Sequence, residues 1–165
     1  MRTLTLIRHA KSSWKDSTLD DFDRPLNRRG KDNAPMMGRL LNKAGVRFDL
    51  ITTSPALRAL TTARLIAAEL GYPETGLLQN PRLYNASAPE LLEVVHGLPE
   101  DRQEVALVAH NPELTELCNY LCGERIDNLP TCAVASIRFD VDTWAAVYRD
   151  TGRIIRYEYP RKYTD

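Results

Sequence analysis

Several things are scarce or missing in this chain, and each narrows what it can do. Only three cysteines, Cys118, Cys122 and Cys132, occur in 165 residues. The count is odd and no Cys-x-x-Cys pair is present, so neither a disulfide framework nor a zinc set is indicated. Cys118 and Cys122, four apart on an expected helix, read as a reduced pair on one face. Neither sign of charge is in excess, since 22 basic and 22 acidic residues cancel. A dedicated nucleic-acid binder usually carries a basic surplus, so nucleic acid is not an expected partner, while a local basic pocket remains compatible. No apolar run is long enough to span a bilayer, and Met1 to Ile7 is too short and too alternating for the apolar core of a secretory signal. No membrane partner is expected, and a cytoplasmic location follows. A glycine-rich phosphate loop, a Gly-x-Ser-x-Gly elbow and a carboxylate cluster with metal-ligand spacing are all missing. Chemistry without a metal or a cofactor is the expectation that remains.

The length suits one domain, taken as residues 1–165, with a substantial buried core. Strand and helix patterns alternate. Leu4 to Ile7 is a first strand, followed by a polar stretch, Lys11 to Arg29, with Asp16, Asp20, Asp21 and Asp23 ahead of Arg24. That stretch reads as a loop or short helix on the ligand side of the sheet. Gly30 to Ala44 has helical spacing and Gly45 ends it. Leu50 to Thr53 is a second strand, with Ser54 expected to cap the next helix and Pro55 at its first position. That helix closes at Gly71 and Pro73. Leu77-Leu78 is a short strand, Glu90 to Gly97 a helix, Val105 to Ala109 a strand, and Pro112 to Cys122 a helix capped by Asn111. Beyond Pro130 the period becomes two, and strands are expected at Ala133–Asp140, Trp144–Tyr148 and Ile154–Tyr159. The simplest architecture is an α/β domain with an antiparallel C-terminal margin.

Three apolar strands each deliver a cationic or imidazole side chain at the C-terminal end. The first runs into Arg8-His9, the second into Ser54-Pro55 with Arg58 one turn on, and the third into His110-Asn111-Pro112. In an open α/β sheet this edge binds ligands. With Arg24 from the loop, the set suits a phosphoryl group, because guanidinium forks match phosphate oxygens. The helix beginning at Asn111-Pro112 would add free backbone N–H groups. One neutral imidazole can attack phosphorus in line to give a phosphohistidine enzyme, while the arginines, and the other histidine if protonated, stabilise the equatorial oxygens. His96 reads as a helix C-terminal residue without a catalytic role.

On these residues the chain resembles the histidine phosphatase superfamily, the phosphoglycerate-mutase-like group. That family's Arg-His-Gly stands here as Arg8-His9-Ala10, its Ser-Pro-x-x-Arg-Ala-x-x-Thr-Ala as Ser54 to Ala63, and its second histidine as His110. The resemblance implies a three-layer α/β/α fold around a mostly parallel sheet. It further implies His9 as nucleophile and Arg8, Arg58 and His110 as the phosphate pocket. Within the superfamily, Arg8 to Trp14 and Asp21 to Asn27 are similar to the small SixA-type phosphohistidine phosphatases, where Arg24 would be a further phosphate ligand. The short stretch between Arg58 and His110 leaves little room for the helical lid of larger relatives, which suits a phosphoryl group displayed on another protein.

Two positions depart from the pattern. Ala10 replaces the motif glycine, a mild change where backbone dihedrals are ordinary. Arg82, in Asn80-Pro81-Arg82-Leu83-Tyr84, stands where ester-cleaving relatives usually offer a Glu, and arginine donates no proton at neutral pH. Asp21 is the favoured substitute acid and Asp23 the alternative. The expected activity is a metal-independent phosphohistidine phosphatase acting on a histidine phosphotransfer domain. A phosphomonoesterase for small phosphate esters is the alternative enzyme, and a phosphate-recognising binding module the alternative outside catalysis.

Overall fold

The computed structural model describes residues 1–164. Its strands are β1 (Arg2–Arg8), β2 (Leu50–Thr53), β3 (Leu77–Gln79), β4 (Glu104–Ala109), β5 (Val134–Phe139) and β6 (Gly152–Glu158). The helices are α1 (Arg28–Lys43), α2 (Leu57–Glu69), α3 (Ala88–His96) and α4 (Glu113–Cys122). The strands form one sheet in the order β3-β2-β4-β1-β5-β6. The first four pair in parallel, and β5 and β6 are antiparallel additions at one margin.

Both faces of the sheet are covered, which is why its central strands read as unbroken apolar runs. On one face Leu4, Leu6, Leu107 and Phe139 pack with Val95 of α3 and Leu117 of α4. On the other, Ile7, Ile51 and Val108 pack with Met37 and Leu41 of α1 and Ile66 of α2. The result is the three-layer arrangement expected, with a helix pair on each side.

Helix ends follow the local chemistry of the sequence. Asn27 caps α1, its side chain accepting from the Gly30 N–H at 2.9 Å. Ser87 and Glu90 form a capping box at α3, and Gly71 leaves α2 with φ +68°. Two expectations are corrected. Residues 144–148 are not a strand: Trp144–Ala146 is a 3-10 turn in the β5–β6 connection. Trp144 and Val147, three apart, both enter the core, so the apparent alternation was one turn plugging the end of the sheet. Trp144 donates its indole N–H to the Arg102 carbonyl at 2.7 Å. Ser54 does not cap α2, which begins three residues later at Leu57; its hydroxyl accepts from the Ala56 N–H and meets His110 instead.

The strand registers bring the ligand-side ends level. Arg8 stands opposite Ala109, and Thr53 opposite Val108. The His9 N–H then donates to the Ala109 carbonyl and the Ser54 N–H to the Val108 carbonyl, so the residues just past β1, β2 and β4 emerge side by side. β1 and β4 are neighbours whose outgoing connections run to opposite sides, which makes a crevice at this edge.

Gly30 is a close approach that the site depends on. A Cβ there would fall 2.2 Å from the Lys11 carbonyl oxygen, a backbone atom two residues beyond His9. Gly30→Ala is therefore expected to cost about 1–3 kcal/mol by overpacking and to displace the segment after His9. Gly97→Ala, whose Cβ would meet nothing closer than 3.6 Å, serves as the tolerated control. Chemical denaturation of both variants checks this, and equal stabilities would contradict it.

Candidate active site

His9 leaves β1 with its ring buried, and Nδ1 lies 2.7 Å from the carbonyl oxygen of Ala10. A carbonyl can only accept, so Nδ1 carries the proton and Nε2 holds the lone pair. The Ala10 peptide is fixed from its other side as well, its N–H donating to Thr62 Oγ1 at 2.9 Å. The Thr62 hydroxyl in turn donates to the Arg58 carbonyl at 2.7 Å, which ties the end of β1 to the first turn of α2.

The His110 ring centroid lies 5.2 Å from that of His9. Its Nε2 meets Ser54 Oγ at 2.8 Å, and its Nδ1 is buried with no hydrogen-bond partner among the described residues. Tyr84 packs edge-on against His110, with centroids 5.6 Å apart. Burial is the main cause holding both imidazoles neutral. For His9 the bond to Ala10 pushes the other way, but His110 and the charges of Arg58 and Arg8 depress it further, to about 3. For His110, burial and the charges of Arg58 and Arg8 outweigh the opposing pull of Asp21, giving about 4. His9 and His110 lie side by side, Arg8 directly precedes His9 at the end of β1, and Arg58 lines the same cavity as His110, so the four predicted residues meet at one edge. The condition that His110 be protonated is not met in the protein alone, where burial favours the neutral ring.

Arg58, 7% exposed, donates from Nη1 to the Asp21 carbonyl at 2.6 Å and from Nη2 to Asp21 Oδ2 at 3.0 Å. These two bonds engage only part of the guanidinium's five donors. Arg8 donates from Nη1 to the Leu129 carbonyl at 2.8 Å, and its buried Nε has no partner among the described residues. Arg24 sits further back. It donates to Ser13 O, Ser12 Oγ and Asp21 Oδ1, and stacks on Trp14 with its central carbon 3.2 Å from the ring centroid. Its hydrogen bonds thus hold the loop and Asp21.

Asp21 is thus in the site but is not a ready acid. Burial raises the pKa of its carboxyl. Hydrogen bonds from Tyr84 (2.7 Å) and Arg58, the Arg58 charge and the bond from Arg24 more than offset that, and the pKa falls to about 2. A carboxylate so held is ionised throughout the neutral range and serves as counter-ion to two guanidiniums. Asp23 is exposed and makes no ion pair among the described residues. Arg82 turns away to pair with Glu93 on α3. Asn111 has its side chain committed: it donates to Asn128 Oδ1 and the Leu129 carbonyl and accepts from the Thr115 N–H. Any contact with an anion would have to come from the backbone there.

Sequence reasoning missed Tyr84 and Glu113. Tyr84 lay in the segment searched for a glutamate. Glu113, the first residue of α4, lines a cavity of about 110 Å³ together with Arg58, Tyr84 and His110. Helical position alone gave it no mark. No group of three or more His, Cys, Asp or Glu among the described residues is arranged to hold a metal ion.

The sequence model of the histidine phosphatase superfamily, branch 1, matches residues 4–85, the part that carries Arg8, His9, Arg24 and Arg58. The chain belongs to that superfamily. Among solved structures it is similar to a SixA protein from Agrobacterium tumefaciens, 25% identical, covering 96% of this chain and 98% of that one with a TM-score of 0.83. The protein histidine phosphatase SixA complexed with tungstate superposes equally well, at TM-score 0.83, with 23% identity and coverage of 97% and 98%. A 2,3-bisphosphoglycerate-dependent phosphoglycerate mutase from Bartonella bacilliformis is 37% identical over 84 residues, which are 50% of this chain and 41% of the mutase. The chain therefore spans about two-fifths of that relative's length. The likeness to the SixA structures runs over nearly the full length of both chains, and the protein has the phosphoglycerate mutase-like fold of a phosphatase. No helix among the described residues is long and apolar enough to cross a membrane.

Unfolded imidazoles titrate near 6.5, above the folded values of about 3 and 4. The unfolded chain binds more protons in between, so stability rises with pH from about 4 to 6.5 and is lost on acidification. Denaturation across this range should show that slope, and His9→Gln/His110→Gln should flatten it. Nitrogen-15 NMR should report His9 as neutral and Nδ1-protonated at pH 6; an imidazolium titrating near 6.5 would refute the assignment. In Tyr84→Phe the Asp21 carboxyl loses one donor, and its NMR titration midpoint should move up from about 2.

Proposed function

We propose that the protein is a phosphohistidine phosphatase in which His9 is the nucleophile. The observation that carries this reading is the His9 imidazole: neutral, fixed by Ala10 with the Nε2 lone pair free, and set among Arg8, Arg58 and His110. Nε2 attacks the phosphorus of the bound phosphoryl group as the bond to the leaving nitrogen breaks, and water then cleaves the phosphohistidine enzyme. Arg8 and Arg58 take the equatorial oxygens. His110, whose buried Nδ1 lacks a partner among the described residues, gains one from a phosphoryl oxygen and becomes easier to protonate once the dianion is beside it. Arg24 and Asp21 hold Arg58 in place, and Asn111 fixes the loop that carries Leu129, on which Arg8 rests. These steps need neither a metal nor a cofactor.

The lack of a protonated carboxyl favours P–N over P–O bonds. An alkoxide needs a proton as it leaves, whereas the imidazole of phosphohistidine can be protonated beforehand. Asp21 near 2 and Arg82 paired outward both support a site that leaves this proton to the substrate. A phosphohistidine borne on a phosphotransfer protein is the substrate class we favour, and that partner is a protein surface rather than a nucleic acid or a membrane. We take residues 1–165 as one catalytic domain and a cytoplasmic location as the natural setting for such a substrate. A second reading, a small-ester phosphatase, is favoured by Glu113, a carboxylate in the cavity beside His110.

A substrate panel separates the two. The kcat/KM for phosphohistidine on a phosphotransfer protein should exceed that for sugar phosphates, and Glu113→Gln should leave that order in place. Faster ester hydrolysis that collapses in Glu113→Gln would favour the second reading. Incubation with labelled phosphohistidine protein should give acid-labile, alkali-stable label on the wild type, and His9→Ala should lose turnover by at least about a thousandfold. Label retained in His9→Ala would remove His9 as nucleophile.

A further inference from the structure

A second cleft, of about 310 Å³, adjoins the site and shares Arg8 with it. Its other polar walls are Lys11, Arg29, Asn33, Asn128, Thr131 and Arg161, and none of the described residues lining it is acidic. In a chain whose charges balance overall, four cations have been gathered on one concavity. None of the four forms an ion pair among the described residues, so no acidic side chain offsets their charge.

Two further observations point to a ligand. Asn33 is only 9% exposed and lines the cleft, so α1 presents a polar amide to it beside the cations. It lies four residues from Arg29 on α1, so the two share one helix face. Arg29 also breaks a local rule. The first turn of α1 carries Arg28 and Arg29 and no acid, although the positive end of a helix dipole disfavours cations. Placing a guanidinium there against local preference makes sense where an anion is received.

We propose that this cleft is a second anion subsite, holding a negatively charged group of the same molecule whose phosphoryl group reaches His9. Arg8 lines the cleft and directly precedes His9 at the end of β1, so it spans the two positions. The inference rests on the phosphoprotein reading for its natural ligand, an Asp or Glu carboxylate flanking the phosphohistidine. A second phosphate on a small ester would present the same chemistry to Arg29 and Arg161.

The test compares substrates that differ only in extra negative charge. One pair is a phosphohistidine peptide flanked by Asp and Glu and its Asn and Gln counterpart; the other is a sugar bisphosphate and its monophosphate. Wild type should prefer the acidic peptide by about tenfold in kcat/KM, mostly through KM, and the preference should weaken with salt. In Arg29→Gln/Arg161→Gln the ratio should fall toward one, and in Arg29→Lys/Arg161→Lys it should largely persist. A wild-type ratio of one for both pairs, or a ratio unchanged in the double glutamine variant, overturns the subsite. If neither peptide is cleaved while the bisphosphate preference appears and is lost in that variant, the phosphohistidine reading falls and the subsite stands.

Discussion

Cations crowd the C-terminal edge of the sheet, and that crowding governs the site. Arg8 and Arg58 sit close enough to both histidines to lower their proton affinity, on top of the effect of burial. In the proposed mechanism, the arrangement that prepares a place for phosphoryl oxygens adds to burial in keeping His9 unprotonated, so affinity for the anion and nucleophilicity of the imidazole share an electrostatic contribution. A site with a single arginine would lose part of both.

Like charges do not stay together without a counterweight, and Asp21 provides it. Its carboxylate receives Arg58, Arg24 and Tyr84, and Trp14 covers the Arg24 guanidinium. A loop whose acidic run would ordinarily be a solvated surface is thereby fastened to α2. The carboxylate orients the guanidiniums without exhausting their donors. A carboxylate held as an anion in this way is not itself a proton donor.

Much of this was legible in the sequence because the signals were local. Apolar runs that stop at Arg8-His9, Ser54 and His110 marked three strand ends, and parallel register does the rest, bringing them level. What stayed hidden depends on contacts distant in the chain. The ionisation of Asp21 is decided by Arg58 and Tyr84, 37 and 63 residues away. Trp144 and Val147 mimicked a strand because a buried turn and a half-buried strand both mix apolar with polar residues over a few positions. Asn111 resembled an anion ligand until the loop at Asn128 and Leu129 claimed its amide.

The acceptor that fixes the His9 tautomer is the carbonyl of Ala10, a main-chain atom. Where a carboxylate side chain orients a catalytic imidazole, one substitution can erase the orienting group. Here every residue type at position 10 supplies the same oxygen. The proton's location is inherited from the course of the backbone, and drift in neighbouring side chains leaves it untouched so long as that course is kept.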